Sequence, residues 1–145
     1  MSDILALSQI KVPGAAISKD DAIREAGALL VDSGAVSPAY VDAMFEREKS
    51  VSTYMGNYLA IPHGTNESKE SIKRSALSVI RYVEPIDWDG NEVLFALGIA
   101  GYQGGHMDIL SRIAIVFSDT DEVDKLVAAQ SAQEIYDLLN AVNEE

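Results

Sequence analysis

From Val93 to Ala100 the chain reads Val-Leu-Phe-Ala-Leu-Gly-Ile-Ala, without one polar side chain. Such a run is far too short to cross a bilayer as a helix, which takes about 20 residues. It reads instead as a strand buried in a sheet, and a buried strand needs neighbours and covering helices. The flanking sequence supplies both. Leu77–Val83 is a second strand candidate, joined to the first by a turn around Pro85 and Asp89-Gly90-Asn91. Tyr58–Ile61 is a third, short and stopped by Pro62, and the polar stretch from Ser50 to Asn57 before it reads as a loop.

Helices are announced by their caps. Ser18-Lys19-Asp20-Asp21 opens one that carries Ala22, Ile23, Ala26, Leu29 and Leu30 at helical spacing and stops at Gly34. Ser37-Pro38 predicts a second, with the serine as cap and the proline at the first helical position. It turns Tyr40, Val41, Met44 and Phe45 inward and ends in Arg47-Glu48-Lys49. After the glycine-rich break Gly101–Gly105, an apolar helix runs from His106 through Ile109, Leu110, Ile113, Ala114 and Phe117. Ser118-Asp119 and Ser131 cap two closing helices. Helices interleaved with a few strands predict an α/β or α+β class, with a single small mixed sheet flanked by helices.

The 145 residues, with no linker or repeat, predict a single domain over 1–145 that buries roughly two thirds of its unfolded surface. Charge narrows the partners. Asp and Glu number 23 against 11 Lys and Arg, a net charge of −12, and such a surface repels nucleic-acid phosphates and anionic lipid while attracting a basic protein. With no cysteine there is no disulfide, thiolate nucleophile or cysteine metal site. The Met1-Ser2-Asp3-Ile4-Leu5 start has no signal-peptide pattern, and no segment suits membrane insertion, so a cytoplasmic location is expected.

The polar reactants that stand out are His63 and His106. His63 follows a strand and Pro62, which stiffens the turn, and precedes Gly64, which leaves room for an incoming group. Its neutral imidazole suits a nucleophile that holds a phosphoryl group; the bland alternative is a loop histidine bonded to its own backbone. His106 opens a helix, where unpaired N–H groups favour anions and a neutral ring, unless it simply faces solvent. Arg47 could grip a phosphoryl group with two parallel hydrogen bonds, or merely neutralise the end of its helix. Arg81 and Arg112 read as salt-bridged surface residues. No metal shell, calcium loop, dinucleotide fingerprint or Walker loop is present in the sequence.

Gly56-Asn57-Tyr58-Leu59-Ala60-Ile61-Pro62-His63-Gly64-Thr65 resembles the active-site segment of the enzyme IIA domains of the bacterial sugar phosphotransferase system, mannitol/fructose class. Val31-Asp32-Ser33-Gly34-Ala35-Val36, Ala39-Tyr40, Arg47-Glu48-Lys49, Thr53-Tyr54-Met55-Gly56, Asp87–Val93 and Gly98–Gly101 extend the likeness over the whole chain and toward its mannitol members. The resemblance implies a phosphocarrier without cofactor or metal. Its histidine, matching His63, takes a phosphoryl group from the carrier protein HPr and passes it to a cysteine of the mannitol EIIB domain of an EIICB permease. His106 and Arg47 would flank the phosphoryl group, and Nε2 of His63 would attack while a carbonyl or side chain holds the other nitrogen. Asn57 stands where some relatives carry glutamate; with Gly64 and Thr65 it is expected to orient His63 or the phosphoryl oxygens. The length suggests that EIIB and EIIC act in trans. The partner surface is expected to be an apolar ring around His63 including Met55 and Ile61. Other readings are a regulatory, binding-only relative, or an EIIA for fructose or another polyol.

Overall fold

The structure, a computed structural model, describes residues 4–65, 70–102 and 105–140, with His106 described by its backbone alone. Helix α1 (Lys19–Asp32) begins where Ser18 Oγ accepts the Asp21 N–H at 3.2 Å, and it buries Ala22, Ile23, Ala26, Gly27 and Leu30. Helix α2 (Ala39–Ser50) buries Tyr40, Met44 and Glu48. Its entrance differs from expectation: Pro38 takes the cap position, and Ser37 contributes its backbone carbonyl to the Tyr40 N–H at 3.0 Å.

Five strands, β1 (Ile10–Lys11), β2 (Tyr54–Gly56), β3 (Leu59–Ala60), β4 (Ala76–Trp88) and β5 (Asn91–Ala100), form one mixed sheet in the order β1-β4-β5-β3-β2. β1 runs parallel to β4 and β3 parallel to β5; the other two pairings are antiparallel. Two expectations are corrected here. The supposed loop before β3 contains β2, paired with β3 through a turn in which Asn57 and Tyr58 have φ of +49° and +67°. Two left-handed central residues give a hairpin turn whose twist matches its strands. Pro85 makes no turn either. β4 continues through it, with the ladder shifted between Arg81 and Ile86, so the missing proline N–H falls where pairing is already interrupted. The chain reverses only at Asp89-Gly90, where both residues have positive φ.

Alternate residues of β5 serve opposite faces. Phe95, Leu97 and Ile99 join a core with helices α3 (His106–Phe117), α4 (Thr120–Ala128) and α5 (Ala132–Leu139). Ala96 and Ala100 join a second core with α1 and α2. Helices thus cover both faces, as an almost wholly apolar strand requires. Asp119 and Ser131 cap α4 and α5 as expected, accepting from Asp121 and Glu134 N–H groups. Arg81 is not a surface ion-pair residue: half-buried, it lies 5.7 Å from the Phe95 ring centre and donates to the Val127 carbonyl of α4.

Because β3 and β5 are parallel, their carboxyl ends lie side by side. The segment after β3 and the start of α3 both emerge there, and open α/β sheets place ligands at such ends.

Candidate functional site

β3 is only two residues long, yet the chain beyond it stays beside β5. The Ile99 N–H donates to the Pro62 carbonyl at 3.1 Å, and His63 bridges Ile99 in parallel register. His63 is half-buried, and its Nδ1 lies 2.8 Å from the Ile61 carbonyl oxygen. A carbonyl only accepts, so Nδ1 carries the proton, and in a neutral ring the lone pair sits on Nε2. A plain loop histidine could make this contact too. It fixes the tautomer; the role needs the surroundings.

The next residue is held from across the fold. Gly64 N–H donates to the Tyr40 hydroxyl at 2.8 Å, and that hydroxyl donates to the Ile99 carbonyl at 2.7 Å. One buried phenol on α2 therefore ties the turn after His63 to the strand that His63 pairs with. Burial raises the Tyr40 pKa above its ordinary 10.0, against a smaller lowering by the Gly64 bond, so the hydroxyl keeps the proton it donates.

The other expected residues divide. Arg47, in the last turn of α2, donates to the Val51 carbonyl at 2.8 Å, the helix-end contact of its bland reading. Val51 is two residues before Thr53, whose carbonyl accepts the Ile61 N–H at 3.0 Å, and His63 is two residues after Ile61. Arg47 and His63 are thus connected through the two chain segments that meet at this backbone contact. His106 is the first residue of α3, and its side chain lies outside the described residues. Thr65 is half-buried, two residues past His63.

Asn57 does not orient His63. Its Nδ2 donates to the Phe117 carbonyl at 2.6 Å, fastening the β2–β3 turn to the end of α3. The run beside β5 goes from Leu59, opposite Phe95, to His63, opposite Ile99, and four extended residues span about 13 Å. Asn57 precedes that run, at the far end of β3 from the histidine. Its residue type suits the left-handed turn position. Ile61 also leaves the expected partner surface: it is buried, whereas Met55 is exposed.

Residues that the sequence did not mark as functional hold the backbone on either side of the histidine. Tyr40 is one, and Glu48 and Thr53 are two more, both buried. Glu48 follows Tyr40 and Met44 at four-residue intervals, so an acid on the inward stripe of α2 was the available signal. Among the described residues no group of three or more His, Asp or Glu is placed to hold a metal ion.

Over residues 3–142 the chain matches the family described as the phosphoenolpyruvate-dependent sugar phosphotransferase system, EIIA 2. It is 54% identical over 141 residues to a mannitol-specific phosphotransferase enzyme IIA component of Halalkalibacterium halodurans, covering 97% of each chain. Its fold is similar to that in the complex of enzyme IIAMTL and phosphorylated enzyme IIBMTL from Escherichia coli, with a TM-score of 0.87 at 31% identity over 93% of this chain and 96% of that one. The nitrogen regulatory protein IIA-Ntr of Neisseria meningitidis has a TM-score of 0.81 at 33% identity, with 94% and 96% covered.

Proposed function

This chain belongs to the EIIA 2 family of the phosphoenolpyruvate-dependent sugar phosphotransferase system, and we propose that His63 is the residue through which it carries phosphoryl groups. It is a phosphocarrier of the mannitol branch, charged by phospho-HPr and discharged to the mannitol EIIB domain. The mannitol assignment, rather than a regulatory role, draws on 54% identity maintained over 97% of both chains. Its place of work is the cytoplasm; among the described residues no helix is long and apolar enough to cross a membrane.

The observation that carries the proposal is the combination of the 2.8 Å contact between His63 Nδ1 and the Ile61 carbonyl with a turn tied back to β5 through Gly64 N–H, the buried Tyr40 hydroxyl and Ile99. The Nδ1 contact commits the neutral ring to one tautomer, with the Nε2 lone pair as nucleophile, and so removes the need for a separate base. In the transfer, Nε2 forms a bond to phosphorus as the N–P bond of the donor histidine breaks, and that electron pair returns to the donor ring. The Nδ1 proton stays where it is. The phosphorylated ring gains a formal positive charge, which the Ile61 carbonyl dipole favours. On discharge the EIIB cysteine thiolate bonds to phosphorus as the Nε2–P bond breaks, and that electron pair returns to Nε2, leaving the neutral Nδ1–H ring.

The transition state is loose, with charge spread over the phosphoryl oxygens. Arg47 serves it by exchanging the Val51 carbonyl for two of those oxygens. His106 serves it from the first turn of α3, beside backbone N–H groups that favour anions. Gly64 keeps the approach to Nε2 uncrowded, with Thr65 lining the same turn. A site with more cations would hold the group too tightly to pass it on.

The test is incubation with phosphoenolpyruvate, enzyme I and HPr, followed by intact mass. The wild-type chain gains one acid-labile phosphoryl group, and a folded His63→Ala chain gains none. Full labelling of that variant would contradict the proposal.

A further inference from the structure

The Glu48 carboxyl group is buried, and its partners among the described residues are donors. Thr53 gives it two hydrogen bonds, N–H to Oε2 at 2.9 Å and Oγ1–H to Oε1 at 2.5 Å, and Trp88 Nε1 gives a third at 3.1 Å. Lys19 Nζ stands 3.9 Å away and is held chiefly by Asp89 at 2.9 Å. Burying a carboxylate is costly, and an apolar residue on a helix stripe beside Tyr40 and Met44 would often be at least as stabilising. Stability alone is therefore a poor reason for this glutamate. What it holds supplies another.

Thr53, clamped at both backbone and side chain, offers its carbonyl to the Ile61 N–H at 3.0 Å, and the carbonyl of Ile61 itself accepts His63 Nδ1–H at 2.8 Å. The ladder between β2 and β3 aligns only Tyr54 with Ala60 and Gly56 with Leu59, with a register shift between them. The attitude of the Ile61 carbonyl therefore rests on few bonds, and the Thr53 bond is one of them. We propose that Glu48 is a positioning residue for the reaction: through Thr53 it anchors Ile61 by its N–H, and the Ile61 carbonyl holds His63 in the Nδ1–H tautomer. The inference deepens the reading of His63 as the phosphoryl carrier, and its tautomer part stands without that reading.

Thr53→Val removes the hydroxyl at nearly constant shape and leaves Glu48 its bonds from Trp88 and the residue 53 N–H; Thr53→Ser keeps the hydroxyl; Glu48→Gln replaces one acceptor oxygen by a donor. Two quantities are measured in full-length folded chains: the 15N shifts of the His63 ring without phosphate, and the single-turnover rate of acceptance from phospho-HPr. In Thr53→Val and Glu48→Gln the ring shifts should move toward a mixture of tautomers, and acceptance should slow by about tenfold, the scale of a 1.4 kcal/mol barrier change. Thr53→Ser should restore both relative to the valine variant. Should Glu48→Gln fail to fold, Thr53→Val carries the test.

Wild-type ring shifts in folded Thr53→Val would overturn the proposal, whether the rate is kept or lost, because a merely structural role lowers the rate without moving the tautomer. A shifted tautomer in Thr53→Val, with a wild-type chain that takes no phosphoryl group, would support the positioning and remove the carrier reading.

Discussion

At the residue scale, the Tyr40 hydroxyl shows how a side chain remote in sequence can hold a reactive one. It accepts from Gly64 N–H and donates to the Ile99 carbonyl, so both sides of the His63 turn answer to one atom. Tyr40→Phe keeps the ring's packing and strands the Ile99 carbonyl in the core and the Gly64 N–H in a half-buried turn. Each such loss costs about 1–3 kcal/mol, so the variant should unfold at lower urea and accept phosphoryl groups more slowly. Urea titration and single-turnover kinetics check both halves. Wild-type values for both would show that the hydroxyl holds nothing. The turn at His63 was legible because Pro62 and Gly64 advertise a stiff, uncrowded turn locally, whereas the part expected of the histidine came from the family resemblance. Tyr40 was legible only as an inward apolar residue, because its partners Gly64 and Ile99 are 24 and 59 positions away. Asn57 misled for the same reason: its nearness to His63 in sequence hides the extended run beside β5 that separates them, and its side chain is bonded to Phe117.

At the element scale, the approach of α1 to the sheet depends on small residues. Ser78 Oγ on β4 donates to the Ala26 carbonyl of α1 at 2.8 Å. A methyl on Gly98 of β5 would come within 2.5 Å of that hydroxyl and 3.2 Å of both Ala26 Cβ and its carbonyl oxygen. Gly98→Ala should therefore push α1 away from the sheet and cost about 1–3 kcal/mol, read as a lower midpoint in denaturant. Because β5 also carries Ile99, the same variant should loosen the His63 turn. An unchanged midpoint would mean that the helix has slack the packing does not show. Sequence reading recovered α1 to α5, α2 with its cap misplaced by one residue, since Ser18, Asp119 and Ser131 are caps whose chemistry is local, and α3 is strongly apolar. It missed β1 and β2, whose two and three residues are strands only by virtue of their partners. Pro85 was misplaced because a proline reads as a break, whereas here an existing irregularity in β4 absorbs it.

At the scale of the whole molecule, the fold brings three stretches of chain together: the last turn of α2 with Arg47 and Glu48 and the connection after it with Thr53, the turn after β3 with His63 and Gly64, and the end of β5 leading to α3. Class and covering were readable because apolar runs and capped helices alternate along the chain. The convergence was not, since it follows from β3 inserting between β5 and β2, a crossover that spacing does not record. The family resemblance, carried by motifs spread over the whole chain, named the histidine and the chemistry; the structure added the atoms that hold the ring. The central claim is that the ring, held through Nδ1 by Ile61, reacts through Nε2. Phosphorylating the 15N-histidine-labelled chain with phosphoenolpyruvate, enzyme I and HPr, and reading the ring-nitrogen shifts and their couplings to phosphorus, tests it most directly. The account predicts one phosphoryl group, on Nε2 of His63, with Nδ1 still protonated; a phosphoryl group on Nδ1, or on another residue, would contradict it.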